Sequence, residues 1–230
     1  MKKIGLIGGT GWASTKIYYE RINTLIHSAC GGRHSAECII YSFDFENIYH
    51  LQKQDKWDLI EDLLADKSNI LTNAGAECLA VCANTLHRSV GKLKLLCRIP
   101  FVDIRDACVS YFLENRIQSV YFFGTGFSVI NNIYSEPFAR NNIRLLDIDK
   151  DVTAKTDQII YNELVFDRIS DDSIEFFRET FDELSENKDA VIMLGCTELN
   201  ILNKIFNTFH FADTLEIHAN AIVSFSLEQD

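Results

Sequence analysis

Two short apolar runs ending in glycine-threonine turns stand half a chain apart, and this repeat limits the fold more than any other feature. Ile4-Gly5-Leu6-Ile7 leads into Gly8-Gly9-Thr10-Gly11, and Val120-Tyr121-Phe122-Phe123 leads into Gly124-Thr125-Gly126. Thr10 and Thr125 lie 115 positions apart in a chain of 230 residues. A second pair of runs keeps nearly the same offset. Cys78 to Cys82 leads to Ala83, Ala190 to Leu194 leads through Gly195 to Cys196, and Ala83 and Cys196 are 113 positions apart. Runs this short, rich in branched residues and closed by glycine or polar residues, suit strands buried on both faces of a parallel sheet. Two similar α/β halves related by a pseudo-dyad are the simplest fold, with a first half of residues 1–98 plus 209–230 and a second of 99–208. Ligands of open parallel sheets bind at the carboxyl ends of the strands, so the ligand is expected between the halves, where the strand tips converge.

The strand tip richest in chemistry follows Leu194. Cys196, Thr197 and Glu198 place a thiol, a hydroxyl and a carboxylate on successive residues, and Gly195 lets another group approach the backbone closely. A free cysteine is most often a buried structural one, but that reading leaves Glu198 at a strand end unexplained. The opening turn, Gly8 to Gly11 before a helical run from Lys16 to Ser28, suits an anion, because free N–H groups and the helix dipole meet there. It has neither the Gly-Lys-Ser/Thr of a phosphate loop nor Gly-x-Gly-x-x-Gly, so a carboxylate fits better than a nucleotide.

The remaining elements alternate accordingly. Strands are expected at Glu37 to Phe45, Ile99 to Ile104 and Ile143 to Leu146, and helices at Leu59 to Ala74, Arg105 to Asn115, Ile133 to Arg140, Thr156 to Phe166 and Ser173 to Leu184. Glu46 to Asp58, with Gln52 and Trp57, is polar. Asn84 and Thr85 either face a ligand or cap the turn after their strand. The chain from Phe211 onward is expected to be one final helix, and its His218 is either a hydrogen-bonded core residue or a ligand contact.

Composition narrows the function. The net charge of −11, from 33 acidic and 22 basic residues, argues against nucleic acid and anionic membranes as partners. Seven cysteines, an odd number with no Cys-x-x-Cys pair, suggest neither a disulfide framework nor a metal site. No apolar run reaches the length of a membrane span, and a cytoplasmic protein is expected.

Taken together, Gly5-Leu6-Ile7-Gly8-Gly9, Trp12 with Ser14-Thr15, His34-Ser35-Ala36, Asp44-Phe45 with Gln52 and Trp57, and Asn84-Thr85-Leu86-His87 form an ordered set. It continues through Ile99-Pro100, Gly124-Thr125 with Phe127-Ser128, Glu163-Leu164, Gly195-Cys196-Thr197-Glu198-Leu199 and Asp213-Thr214 with Ile217-His218-Ala219. Over essentially its whole length the chain resembles the aspartate/glutamate racemases that work without pyridoxal phosphate.

The resemblance implies two flavodoxin-like domains about a pseudo-dyad and proton transfer at Cα by two facing cysteines, with no cofactor. The second cysteine falls on Cys196, with Glu198 or His218 tuning it. The first falls on Ala83, and Cys82 is one residue early, which in a strand turns it to the other face. Substrate contacts are implied at Thr10, Gln52, Ala83, Asn84, Thr85, Thr125, Ser128, Thr197 and His218, with Thr125 and Ser128 holding a carboxylate. The ligand would be a small carboxylate or amino acid such as aspartate or glutamate, and a homodimer is possible. A strand-tip thiol beside N–H donors is expected to be the most reactive of the seven. With Ala83 in place of a thiol, two other activities stay open: a single-thiol lyase of the arylmalonate decarboxylase type, and a carboxylate-binding homologue without catalysis.

Overall fold

A computed structural model describes residues 1–166 and 168–228. The chain divides into two compact units. One comprises residues 1–107 together with the chain from His218 on, and the other residues 108–217.

The first unit opens with β1 (Ile4–Gly8), α1 (Trp12–Cys30), β2 (Cys38–Ser42), α2 (Phe45–Lys53), α3 (Trp57–Asn73), β3 (Cys78–Val81) and α4 (Gly91–Leu96). Its parallel sheet is ordered β2-β1-β3, with Ile4 opposite both Cys38 and Cys78. The expected strand at Ile99 to Ile104 shrinks to a single parallel bridge between Leu79 and Phe101. Pro100 has no N–H to extend the ladder, so pairing rests on its carbonyl, which accepts from Leu79 N–H at 2.9 Å, and on Val102 N–H donating back to Leu79 at 2.8 Å. Helix α3 buries Trp57, Ile60, Leu64 and Leu71, spaced as one face of a helix, against Ile7, Leu79 and Val81. The segment read as merely polar contains α2, whose start is capped by Asp44 accepting Glu46 N–H at 3.2 Å.

Along α5 (Ile104–Glu114) the chain leaves the first unit. The second contains β4 (Ser119–Phe123), α6 (Gly126–Ile130), α7 (Ser135–Arg140), β5 (Arg144–Leu146), α8 (Lys150–Asn162), α9 (Asp171–Leu184), β6 (Ala190–Leu194), α10 (Ile201–Ile205) and β7 (Phe211–Asp213). Its sheet is parallel and ordered β5-β4-β6-β7. This is the order of the first unit with a full fourth strand where that unit has only the Phe101 bridge. The final helix, α11 (Thr214–Leu227), therefore starts later than expected. Phe211 to Asp213 form β7 instead, drawn out of the helix by pairing with Ile192, Met193 and Leu194.

Phe181, fully buried on α9, anchors the core of the second unit, with its ring centroid 5.2 Å from those of Phe123 and Phe211 and 5.7 Å from that of Phe206. Helix α9 is fixed at its start by Ser170, which caps Ser173 N–H, and by Glu163, which accepts from Ser170 N–H at 2.6 Å and the Ser173 hydroxyl at 2.7 Å. The Glu163-Leu164 motif thus has a structural use. No helix among the described residues is long and apolar enough to cross a membrane.

Candidate active site around Cys196

Three residues after β6 build the site. Gly195 N–H donates to Phe123 O at 2.7 Å, continuing the ladder, and a Cβ at this position would stand 2.1 Å from Phe122 Cε2. Only glycine fits beneath that ring. Cys196 is extended, and a 3-10 turn at Thr197–Asn200 follows. The turn swings Glu198 back toward the thiol. The Cys196 thiol donates to Glu198 Oε2 at 2.9 Å, and the Thr197 hydroxyl donates to the same oxygen at 2.8 Å.

This geometry reverses the expected thiolate character. Burial, then the charge of Glu198 and the hydrogen bond to it, push the Cys196 thiol well above the ordinary range, and the charge of Asp157 adds to this. The opposing Glu198 N–H is too weak to offset them. In the free protein Cys196 is a thiol, although the residue keeps some solvent exposure. Cys82 is buried, which pushes its thiol far up, while Ala83 beside it is partly exposed. That alternation is the one expected of a strand end.

Several groups of the turn after β4 are paired within the second unit. Thr125 caps α6: its Oγ1 accepts Ser128 N–H at 3.2 Å and lies 2.9 Å from the Ser128 hydroxyl. Gly126 N–H donates to Asp157 Oδ1 at 2.6 Å. Asp157 is a residue that sequence reasoning missed, since nothing in the pattern of α8 marks it. Thr125 and Ser128, expected to hold a carboxylate, are a pair of capping groups beside an acidic side chain.

In the first unit, Gly9 adopts φ +89°, and a Cβ there would lie 2.2 Å from Phe43 N, so the opening turn requires glycine. Gly9 N–H donates to Thr15 Oγ1 at 2.9 Å. Thr10 Oγ1 is buried with no hydrogen-bond partner among the described residues, which suits a group awaiting a ligand. Gln52 lies near the end of α2, partly exposed. Asn84 and Thr85 are partly exposed at the end of β3, and the Asn84 side chain does not cap the turn that follows.

His218 differs from the expected ligand contact. It is 0% exposed, its Nε2 lies 2.9 Å from Val102 O, and its Nδ1 lies 2.9 Å from the Tyr18 hydroxyl. The carbonyl can only accept, so Nε2 carries the proton and Nδ1 accepts from Tyr18. Both ring nitrogens are used inside the core. His87 is buried likewise: its Nδ1 donates to Ala83 O at 2.8 Å, which anchors the backbone at Ala83, and its Nε2 accepts from Ile104 N–H at 3.4 Å. Burial lowers His87 to about 4 and His218 to about 3.

Asp213 likewise has a structural part, because its Oδ1 accepts from Leu215 N–H at 2.9 Å at the start of α11, and Thr214 Oγ1 donates to Leu194 O at 3.0 Å. Among the described residues no cluster of His, Cys, Asp and Glu could hold a metal ion.

Residues 7–222 match the Asp/Glu/Hydantoin racemase family. The chain belongs to this family. Similar solved structures include a Yersinia pestis protein assigned to the Asp/Glu racemases, 33% identical with a TM-score of 0.92, the alignment covering 99% of this chain and 100% of the other. An aspartate racemase homologue from Pyrococcus horikoshii OT3 is 27% identical with a TM-score of 0.87 over 99% of this chain and 100% of the other. The glutamate racemase of Francisella tularensis, solved with D-glutamate, shares 14% identity and the fold, with a TM-score of 0.65 over 97% of this chain and 80% of the other. These likenesses agree with the α/β fold and parallel sheets of both units.

Proposed function

We propose that the protein is a cofactor-independent racemase-type enzyme acting at Cα of a small amino acid such as aspartate or glutamate, with Cys196 as its acid/base. The observation that carries this reading is the Cys196–Glu198 hydrogen bond at the end of β6 in a member of a racemase family. The D-glutamate bound by the Francisella tularensis glutamate racemase supports an acidic amino acid as the ligand class.

In this reading Glu198 receives the thiol proton, the thiolate takes the Cα proton, and the electron pair passes into the substrate carboxylate as an enediolate. Protonation by the same thiol restores the starting enantiomer. Protonation from the other face inverts the centre, and with Ala83 in place of the first thiol that step depends on water or a hydroxyl. General acid/base help is worth typically 10²–10⁴-fold, so inversion falls behind exchange by about that factor.

A second reading is favoured by one observation, the protonated state of Cys196. A lyase of the arylmalonate decarboxylase type needs a thiol ready to protonate an enediolate after carbon dioxide leaves, and needs no facing thiol. Proton NMR in deuterated water separates the two. The racemase reading expects α-proton exchange from one enantiomer of aspartate or glutamate, faster than its inversion and abolished by Cys196→Ala. Absence of exchange from every enantiomer, with protonated product formed from an aryl- or alkylmalonate, would give the lyase.

A further inference from the structure

The ladder of β3 is still regular at Cys82, whose N–H donates to Ile7 O at 2.8 Å, and the next carbonyl, that of Ala83, is met by an imidazole. His87 is 0% exposed and donates from Nδ1 to that oxygen at 2.8 Å. Its Nε2 faces the N–H of Ile104, the first residue of α5, at 3.4 Å and 17 positions away. A local cap of the turn would need only the first of these contacts. The second ties the end of β3 to a segment that is itself braced. Val102 N–H donates to Leu79 O at 2.8 Å, the Val102 carbonyl accepts from His218 Nε2 at 2.9 Å, and the buried Asp103 carboxylate takes Arg105 at 2.6 Å and Lys94 at 2.7 Å. All of these residues belong to the first unit. The same contacts fix the state of the ring. The Ala83 carbonyl can only accept and the Ile104 N–H can only donate, so His87 carries its proton on Nδ1 and leaves Nε2 bare, the opposite tautomer to that of His218 beside it.

We propose that His87 is a positioning residue, which in its Nδ1–H tautomer sets the backbone at the end of β3 and, through it, the face that Ala83, Asn84 and Thr85 present to a ligand. That this face meets the ligand rests on the proposed function, and the inference adds the group that fixes it. Ala83, Asn84 and Thr85 are partly exposed where the strand gives way to a 3-10 turn, beyond the reach of the sheet's own pairing. A binding wall on such a turn is precise only where side chains hold it from behind. His87 does so by linking the Ala83 carbonyl to the braced segment at Val102 to Ile104.

Two substitutions divide the two contacts. His87→Asn places an amide N–H where Nδ1 stands and keeps a donor for Ala83 O, whereas His87→Gln reaches to the Nε2 position and leaves that carbonyl without its donor. With carbonyl-labelled alanine and nitrogen-labelled asparagine, NMR of the full chain reads only two Ala-Asn pairs, Ala83-Asn84 and Ala219-Asn220. The Ala83 carbonyl signal should stay near its wild-type position in His87→Asn and move in His87→Gln. An unmoved signal in the glutamine variant, or equal displacement in both, would overturn the proposal. Kinetics give the second readout. The loss of one hydrogen bond to a ligand is worth about tenfold in affinity, so KM for α-proton exchange of aspartate or glutamate should rise about tenfold in His87→Gln with kcat little changed, and stay near wild type in His87→Asn. A histidine that only stabilises the fold would lower kcat with the folded fraction and leave KM alone, and that result would also overturn it. If the wild type exchanges no α-proton, the racemase reading falls and the carbonyl signals alone decide the role of His87. If neither variant folds, the imidazole nitrogen spectrum of the wild type decides: a proton on Nδ1 of His87 supports the proposal, and a proton on Nε2 overturns it.

Discussion

The Cys196 thiol donates its hydrogen bond to the Glu198 carboxylate, which makes the candidate acid/base a proton donor in the free protein. Replacing Glu198 by Gln removes one of the charges that hold the thiol protonated. The midpoint of the pH dependence of Cys196 alkylation should then fall, while α-proton exchange should drop by roughly 10²–10⁴-fold for lack of a proton acceptor. An unchanged alkylation profile would show that Glu198 does not control the thiol.

The exposed side of the β3 end carries Ala83 where the family resemblance implies a thiol. Ala83→Cys should raise inversion of aspartate or glutamate by up to about 10²–10⁴-fold and raise exchange much less. Chiral chromatography alongside deuterium incorporation measures both rates. A variant that raises neither would mean that inversion is limited by something other than the missing thiol.

Two buried neutral histidines predict how stability responds to acid. His87 and His218 are lowered from 6.5 to about 4 and about 3, so below pH 6.5 the unfolded chain binds protons that the folded chain does not. Stability is fully present above about pH 6.5 and should fall progressively as pH drops toward 4 and then 3, each histidine contributing a slope of roughly 1.4 kcal/mol per pH unit within its window. Asp103 acts in the same direction at lower pH. Burial alone would raise its carboxyl, but Arg105, His87 and Lys94 outweigh burial and hold it well below the usual range, so its contribution is present above 3.8 and lost in stronger acid. The variant His218→Phe should lose about 1–3 kcal/mol at pH 7.5, because the buried Val102 carbonyl loses the N–H that meets it and Tyr18 loses its bond to the ring, and should show a shallower fall between pH 6.5 and 4. Urea titrations at several pH values would reveal either effect.

Gly195 sits under the Phe122 ring with no room for a methyl group. Gly195→Ala should destabilise the protein by about 1–3 kcal/mol, through overpacking against a buried ring. It should also shift Cys196, lowering exchange further than the stability loss explains. Full activity in a less stable variant would separate packing here from chemistry.

Much of this architecture is legible in the sequence. The runs at Ile4, Cys78, Val120 and Ala190 are strands because each is short, apolar and closed by glycine or a polar turn, and the half-chain repeat reappears as one strand order used twice. The failures have identifiable causes. Phe211 to Asp213 read as helix because their pairing partners, Ile192 to Leu194, lie far away in the chain. Helix α2 was hidden by its polar surface, since it buries only Ile48. At the site, the Gly-Cys-Thr-Glu run marks the right place, but its acid-base state depends on how the turn folds Glu198 back and on Asp157, a residue 39 positions from Cys196. The same limit applies to His218, whose two partners, Tyr18 and Val102, belong to remote segments.

Lys2 and Ser226 exchange two hydrogen bonds, each 2.7 Å, and α11 returns His218, Ala219 and Ile222 to the core of the first unit. The order of synthesis is therefore not the order of completion. Residues 108–217, all the segments of the second unit, leave the ribosome as one continuous stretch, while the first unit waits for a helix made at the end. At about 5–20 residues per second the wait lasts roughly 5–25 seconds. Throughout it the first unit lacks His218, whose imidazole meets Tyr18 and Val102, so the unit begun first can be completed only after the segments of the second have been made.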